Sequence, residues 1–350
     1  MSDDWTDATW PITVGCTRTA PAGSQQSGCG DASGGGCYAE QSVARVNRCQ
    51  VGSGRPPPYA DLVKLVKRGD RTVARWAGGA KFFPDRLSMP LAWRRPRRIF
   101  VSSQSDLFHE SLTNEQIAAV FGVMAAAPRH TFQVLTKRAA RMRAWFEWYE
   151  GTSGAGASPL AAIYAARDHV GALASRDHQF DPWPLPHVWL GVSVENQAAA
   201  DERIPELLRT PAAVRWLSCE PLLGEVDFKR QCHAAGCDGE CGHASPFAML
   251  GDDSTGALID WIVAGCESGP GARHCNVEWM RKMRDQLAAA QVPWFLKQAV
   301  RDDRVHDCSL DPPGPVLTIG PGSHRKAGGV IGLPYLDGRQ HIDMPEVTRG

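Results

Sequence analysis

The sequence predicts an α/β protein built as a partial (β/α) barrel, because two patterns alternate along the chain. Short apolar segments rich in β-branched and aromatic residues are typical of buried parallel strands. Helical patterns lie between them, at 114–126, 200–208 and 277–290. Such alternation favours a parallel sheet covered by helices. We expect six or seven strands, at 11–15, 99–103, 131–136, 188–194, 214–218, 261–265 and 292–296.

The length of 350 residues fits one barrel with insertions. We expect residues 1–300 to form this barrel. Residues 151–186 are rich in Gly, Ala, Ser and Pro, and residues 227–254 are rich in Cys and His, so both read as insertions. Residues 301–350 read as a polar C-terminal tail with a short hairpin around 336–339.

The charge balance excludes a strong field over the whole protein. Lys plus Arg and Asp plus Glu each number 38, so any nucleic-acid contact must be local. No apolar run approaches the roughly 18–20 residues that span a bilayer, and residues 1–10 are acidic and polar, unlike a signal peptide. The sequence therefore predicts a cytoplasmic protein with no membrane partner.

Polar side chains follow nearly every predicted strand. In β/α barrels the active site is built from the C-terminal ends of the strands and the loops after them. Polar residues also end strands and cap helices, which is the simpler explanation for any single segment. Their recurrence predicts an active site at this edge, formed from residues 102–106, 136–138, 193–196, 218–221, 266–269 and 297–298.

Cys16, Cys29 and Cys37 form a first cysteine cluster. Cytoplasmic thiols stay reduced, so clustered cysteines there bind metal more often than they form disulfides. Three thiolates leave one iron of a [4Fe-4S] cluster open to an exchangeable small molecule, which in radical-SAM enzymes is S-adenosylmethionine. We therefore predict these residues as metal ligands. A zinc site completed by a distant His, or three structural thiols, remain alternatives.

The chain resembles the phage-associated three-Cys-motif family, a radical-SAM-like group long described as phage proteins of unknown function. Its two cysteine gaps are 12 and seven residues, longer than in that family, and the added residues are flexible Gly, Ser, Ala and Gln. The resemblance covers most of the chain and rests on residues 5–10, 15–17, 37–40, 97–110, 131–138, 188–195, 218–224, 267–273 and 295–298.

The resemblance implies a set of cofactor-binding residues. The turn at 265–271 is a candidate cradle for the amino-acid or ribose part of S-adenosylmethionine, because its glycines permit close backbone approach. The alternative for each charged residue is a salt bridge at a strand end. Glu220 and Glu267 would bind an ammonium or a ribose hydroxyl. The basic residues Lys137, Arg138 and Lys297 would neutralise a carboxylate or phosphate. Tyr38 would shield the cofactor, and Ser268 and Gly269 belong to the turn.

A second cluster lies in the predicted insertion and contains Cys232, Cys237, Cys241 and His243. Four such ligands suit a tetrahedral zinc site, which would fold a Gly-rich segment too small to form its own core. An auxiliary iron-sulfur cluster and unligated thiols remain alternatives, since spacing does not separate zinc from iron.

These observations predict a radical S-adenosylmethionine enzyme that needs an electron donor and generates a 5'-deoxyadenosyl radical. By family context, its substrate would be a nucleobase or nucleotide, such as a thymidine derivative in phage DNA, modified in the host cytoplasm. One alternative is a radical DNA-lesion lyase in which Cys219 or Cys266 donates hydrogen, although a buried structural Cys is the simpler reading of both. Another is a non-catalytic, metal-stabilised nucleic-acid-binding protein that uses Trp93 and the basic residues at 94–98.

Overall fold

A computed structural model describes most of the chain, namely residues 5–21, 29, 37–68, 70–153, 184–228, 250–252, 257–268, 272–300, 306–307, 314–315, 317–318, 323–325 and 330–345. Within these ranges, no helix is long and apolar enough to cross a membrane. The second cysteine cluster and most of both predicted insertions lie outside the described residues.

The described helices are α1 (Tyr38–Gly52), α2 (Met89–Ala92), α3 (Asn114–Ala125), α4 (Ala139–Ser153), α5 (Gln197–Leu208) and α6 (Val277–Ala289). The described strands are β1 (Ala8–Trp10), β2 (Thr13–Val14), β3 (Val63–Arg68), β4 (Arg71–Trp76), β5 (Lys81–Phe82), β6 (Arg98–Val101), β7 (Thr131–Thr136), β8 (Val188–Ser193), β9 (Val214–Cys219), β10 (Gly251–Asp252), β11 (Ala257–Leu258), β12 (Trp261–Gly265), β13 (Trp294–Val300), β14 (His306–Asp307), β15 (Gly314–Pro315), β16 (Leu317–Thr318), β17 (His324–Arg325), β18 (Val330–Gly332), β19 (Tyr335–Leu336) and β20 (Arg339–Gln340).

The main sheet has the strand order β1-β6-β7-β8-β9-β12-β13-β18-β17. The register is parallel for β1 with β6, β6 with β7, β9 with β12 and β12 with β13, whereas β18 runs antiparallel to β13 and β17. The fold is therefore mixed α/β with a curled, mostly parallel half-barrel sheet. The predicted α/β class and parallel sheet are confirmed.

The chain divides into two compact units. Unit 1 comprises Met1–Thr19, Gly36–Gly191 and Arg209–Ala213, and unit 2 comprises Ala20–Gly35, Val192–Leu208 and Val214–Gly350.

The helices begin where the sequence supplies capping residues. In unit 1, Thr113 and Gln116 form a reciprocal capping box at the start of α3, whose residues from Ile117 onward are buried. In unit 2, Asn276 caps α6 by accepting a hydrogen bond from the Glu278 backbone N–H. The buried residues of α6 recur at helical spacing, so one face packs inward; they are Val277, Met280, Met283 and Leu287.

Two chain ends differ from the expectation. The first strand of the main sheet is β1, whereas the residues predicted at 11–15 form β2, which pairs antiparallel with β5. Trp10 accounts for residues 8–10 forming that strand: its ring is fully buried in the core, and its indole N–H donates to the Arg86 carbonyl at 2.8 Å. Within the predicted C-terminal tail, β18 pairs with β13, and the hairpin expected around 336–339 forms as β19 and β20.

Candidate functional site

Unit 1 gathers a polar cluster where β6 and β7 end. These parallel neighbours end at the same sheet edge, and the loops after them carry Asp106 and Arg138. Asp106 is buried and accepts hydrogen bonds from the Thr136 hydroxyl at 2.7 Å and the Lys137 backbone N–H at 3.1 Å. The carboxylate therefore ties the two loops into one rigid edge.

Arg138 is the centre of this cluster. Its buried guanidinium donates to Asp106 at 3.1 Å, to Glu110 at 2.8 Å and to the Thr17 hydroxyl at 2.7 Å. Burial by itself lowers the pKa of Arg138, but the charges of Asp106, Cys16 and Glu110 outweigh burial and raise it. The side chain is thus a permanent, immobilised cation.

His109 lies on the same cluster as a neutral imidazole. The Ser111 backbone N–H donates to its Nδ1 at 3.1 Å, so Nδ1 carries no proton and Nε2 donates to the Thr17 hydroxyl at 3.0 Å. Burial, followed by the charge of Arg138, lowers the pKa of His109 below its ordinary value of 6.5. The neutral ring is therefore a hydrogen-bond donor that holds the Thr17 hydroxyl in place.

Cys16 lies beside this cation. Its Sγ is half-buried, donates to the Thr17 carbonyl at 3.1 Å and accepts from the Arg138 guanidinium at 3.6 Å. With that contact the sulfur is a protonated thiol, and the neighbouring cation would stabilise the thiolate that forms when metal binding displaces the proton. Gly15, directly before it, has a φ of +96°, and a Cβ there would lie 2.6 Å from the Gly79 carbonyl, so the approach of the chain to Cys16 requires glycine.

Cys37 is half-buried and occupies the N-cap position of α1. The positive end of the helix dipole also favours a thiolate there. Cys16 and Cys37 pack against one hydrophobic cluster, which we call the α1 cluster; its buried members are Val14, Ala39, Val43, Ala44, Tyr59, Leu62, Val63, Ala74 and Trp76. The structure thus brings two of the three predicted thiols to one place.

Glu40 holds the segments that carry these two thiols together. Its carboxylate is completely buried and receives Arg18 at 3.1 and 2.7 Å, the Trp76 backbone N–H at 3.0 Å and Arg75 at 3.5 Å. Arg18 lies two residues after Cys16, and Glu40 lies three after Cys37. The ion pair therefore locks the loop after Cys16 to the first turn of α1.

Tyr38 stands between Cys37 and the strand-end loops. Its side chain is 66% exposed, and its hydroxyl donates to the Ser103 carbonyl in the loop after β6. The phenol is thus anchored at its tip while most of its surface remains open to a ligand.

Cys29, the third predicted ligand, is buried and belongs to unit 2. Across the described parts of the chain, no three His, Cys, Asp or Glu side chains lie together in an arrangement that holds a metal ion. The stretches on both sides of Cys29, residues 22–28 and 30–36, lie outside the described residues, as do Cys232, Cys237, Cys241 and His243.

Unit 2 has its own polar residues at this edge of the sheet, after β9 and β12; Lys297 and Gln298, predicted to follow a strand at 292–296, lie inside β13 because that strand runs on to Val300 and pairs with β18. Lys297 donates to Glu220 at 3.1 Å, and both side chains are more than four-fifths buried. A Cβ on Gly265 would lie 3.1 Å from a Glu220 oxygen, so this glycine lets the carboxylate lie against the backbone. Glu220 and Lys297 thus form a salt bridge, the alternative that the sequence left open.

The predicted turn after β12 is held by a second ion pair. Arg273 donates to both oxygens of Glu267, at 3.0 and 2.6 Å. Ser268 is exposed, whereas Gly269 and Gly271 lie outside the described residues. The Arg273 fork fixes the Glu267 carboxylate, so a ligand there would meet an oriented, already neutralised acid.

Cys219 and Cys266 end neighbouring parallel strands and are completely buried. Burial, then the charge of Glu195, raises the pKa of the Cys219 thiol far above its ordinary value. Gln298 donates to the Cys266 carbonyl at 2.7 Å. Cys219 therefore stays a neutral S–H, which suits a hydrogen donor and excludes a thiolate nucleophile.

Sequence reasoning missed most of the Arg138 cluster. Asp106 lies in the strand-end segment 102–106 that the sequence assigned to the active site, whereas His109 and Glu110 stand only in a motif that carries the resemblance and received no role. The available signal was the density of ionisable residues directly after two predicted parallel strands. Thr17 and Arg18 carried no signal beyond their closeness to Cys16.

The fold and these sites define a mixed α/β protein with ionisable clusters at the C-terminal edge of a parallel sheet. Residues 2–345 match the model of a family described as "Protein of unknown function (DUF5131)", so the chain belongs to that family. Neither the curated proteins nor the solved structures include one that matches this chain significantly.

Proposed function

We propose that this protein is a radical S-adenosylmethionine enzyme whose cluster is held by Cys16, Cys29 and Cys37. The observation that carries the proposal is the convergence of Cys16 and Cys37 on the α1 cluster, each beside positive charge: the Arg138 guanidinium at 3.6 Å for Cys16 and the start of α1 for Cys37. Soft thiolates in an apolar setting are the donor chemistry that iron-sulfur clusters use. The donor chemistry of Cys16 and Cys37 therefore supports the proposal, and Cys29 would have to join them when the cluster binds.

When bound, such a cluster would supply one electron, received from an external donor, that breaks the C5'–S bond of S-adenosylmethionine to give methionine and a 5'-deoxyadenosyl radical. The chain's own contribution is rigidity and exclusion of water. Arg138 and Glu40 hold the loops that carry Cys16 and Cys37, and the apolar α1 cluster keeps solvent from one side of both sulfurs. Tyr38, anchored through its hydroxyl, presents its ring on the open side.

The charged residues in unit 2 would orient ligand groups in this proposal. Glu220 with Lys297, and Glu267 with Arg273, are neutral pairs, and a ligand ammonium or carboxylate could exchange for one partner. Ser268, Gly269 and Lys137 remain proposed contacts to the cofactor. Cys219 and Cys266 remain proposed hydrogen donors, which the buried and protonated state of Cys219 supports.

We further propose a nucleobase or nucleotide as substrate, such as a thymidine derivative in phage DNA, with reaction in the host cytoplasm. The test compares nucleosides, by mass spectrometry, from phage DNA made with the gene intact or deleted. Loss of one modified nucleoside on deletion is expected, and an unchanged spectrum would refute this substrate.

The cluster itself is tested by anaerobic reconstitution with iron and sulfide, metal analysis, and electron paramagnetic resonance of the reduced protein. A four-iron signal that changes on adding S-adenosylmethionine is expected, and it should disappear in Cys16→Ala, Cys29→Ala and Cys37→Ala. Cys49→Ala is the matched control, because Cys49 lies exposed on α1.

The same preparation tests the proposed zinc site at Cys232, Cys237, Cys241 and His243. One zinc per chain that persists in the Cys16, Cys29 and Cys37 variants is expected. Zinc alone, with no iron after reconstitution, would refute the radical enzyme and favour the non-catalytic nucleic-acid-binding protein.

A further inference from the structure

Positive charge is concentrated in one segment of unit 1, although the whole chain is neutral. Residues 38–76, which form α1 and the β3-β4 hairpin, contain eight Lys and Arg residues against three Asp and Glu residues. Glu40 is buried, and it pairs with Arg75 as well as with Arg18 outside the segment. The remaining acids, Asp61 and Asp70, are exposed, and Asp61 pairs with Lys81 at 3.7 Å. The local excess of cations gives this surface an attraction for polyanions that the whole protein lacks.

The hairpin is anchored at its base and exposed towards its turn. On one face, Val63 lies opposite Trp76, and both are more than nine-tenths buried in the α1 cluster. The next residue of β3 on that face is Leu65, which is 58% exposed, and the one after it, Lys67, is also exposed. The half of the ribbon nearer the turn therefore projects from the core into solvent.

Exposed cations lie on both the ribbon and the neighbouring helix. Lys64 and Lys67 are exposed on β3, one on each face of the ribbon, so they can reach the phosphates on either side of a groove. Arg45 and Arg48 are exposed on α1 and, being three residues apart, share one face of the helix. The opposite side of α1 packs on the hairpin through Val43 and Ala44, so helix and ribbon form one solid body.

We propose that the β3-β4 ribbon and the exposed face of α1 bind the phosphate backbone of duplex DNA. A two-stranded ribbon fits the major groove of B-DNA, which is about 12 Å wide. Lys64 and Lys67 reach phosphates from the ribbon, and Arg45 and Arg48 reach them from the helix. On the hairpin, Leu65 is the one exposed large hydrophobic side chain among the described residues, too little apolar surface for a membrane but suited to a thymine methyl group.

This inference goes beyond the proposed chemistry, because DNA binding at this surface is measured without S-adenosylmethionine or iron and can hold or fail separately. The assay is fluorescence anisotropy of a short labelled DNA duplex titrated with the full-length protein at several salt concentrations. The test variants are Lys64→Ala/Lys67→Ala and Arg45→Ala/Arg48→Ala. The control is Lys282→Ala/Arg339→Ala, which removes the same charge from exposed positions in unit 2, outside every proposed nucleic-acid site.

Each test variant should lower the slope of log affinity against log salt by about 1.8, since each phosphate contact contributes about 0.9. Affinity at low salt should fall at least about tenfold, while the control stays within about twofold of the unmodified protein. Lys64→Arg/Lys67→Arg keeps the charge and should retain binding.

The proposal would be overturned by an equal loss in the Lys282 and Arg339 control, by loss of binding in the charge-preserving variant, or by binding of anionic phospholipid vesicles through these residues without binding of DNA. A parallel titration with an RNA duplex distinguishes the two nucleic acids. Binding of RNA at least as tight as binding of DNA would refute DNA as the partner.

Discussion

Removal of the buried carboxylate at Glu40 should destabilise unit 1 more than removal of any surface carboxylate. Glu40→Ala would remove the carboxylate that Arg75, 12% exposed, contacts at 3.5 Å and the acceptor of the Trp76 backbone N–H. Arg18, at 27% exposure, can turn towards water and recover part of its hydration. The penalty therefore comes mainly from Arg75 and Trp76.

Breaking a buried ion pair costs about 3–5 kcal/mol, and an unsatisfied buried backbone N–H costs about 1–3 kcal/mol. The partial exposure of Arg18 reduces the total, so a loss of about 3 kcal/mol in the free energy of unfolding is the working figure. In a domain of about 150–250 residues, each kcal/mol shifts Tm by roughly 2–4 °C. The variant should therefore unfold about 6–12 °C below the unmodified protein.

The assay is thermal and urea unfolding followed by tryptophan fluorescence, with Glu147→Ala as control. Glu147 is 57% exposed and pairs with Arg143 one helical turn away, so its loss should cost less than about 0.5 kcal/mol. Glu40→Gln keeps an acceptor for Trp76 and should lie between the two. A Tm for Glu40→Ala no lower than that of Glu147→Ala would refute the reasoning.

Three further outcomes follow from burial and charge. Burial and Arg138 lower the pKa of His109 below 6.5, so neutral His109 stabilises the fold fully above about pH 6.5, and this contribution is lost as pH falls through the folded-state pKa. The midpoint of urea unfolding should thus decrease below pH 6.5, and less steeply in His109→Gln; identical slopes would contradict this. Asp337 lies in the β19-β20 turn. Burial alone would raise the pKa of its carboxyl, but Arg281 and Arg284 outweigh burial and lower that pKa. Asp337→Asn should speed hydrogen exchange in residues 335–340 and cost about 1 kcal/mol at low salt, an effect that high salt should reduce. Burial raises the pKa of the Cys275 thiol to about 12 and also raises that of Cys219, so alkylation of the native protein, mapped by mass spectrometry, should modify exposed Cys49 before either of them; early labelling of Cys219 would contradict its burial.

The parallel strands and three helices could be predicted because their signals are local. The strands at 131–136, 214–219 and 261–265 are rich in apolar residues and mostly buried, as strands covered on both faces require. The helix predicted at 277–290 forms as α6, since its apolar residues recur at helical spacing. The role of β1 was missed because three residues carry too little periodicity to distinguish a strand from a turn.

The candidate site depends on pairings that sequence order does not encode. Arg138 meets Cys16 across 122 positions of the chain and Asp106 across 32. The sequence shows which residues are charged but not which residues they contact. Glu220 and Lys297 could therefore equally be predicted to bind a ligand or to form the salt bridge that they make with each other.

By itself, the sequence determined the class of the fold and most of the strand ends that carry ionisable residues, because apolar periodicity and side-chain chemistry are local properties. Only the tertiary structure decided that Glu40 and Arg18 join the segments of Cys16 and Cys37, and that Arg138 lies beside the Cys16 sulfur. The same structure buries one end of the β3-β4 ribbon and exposes the other. These features arise only when the chain packs into its tertiary structure. Burying a charge without a partner costs free energy, so packing decides which charged residues pair with each other.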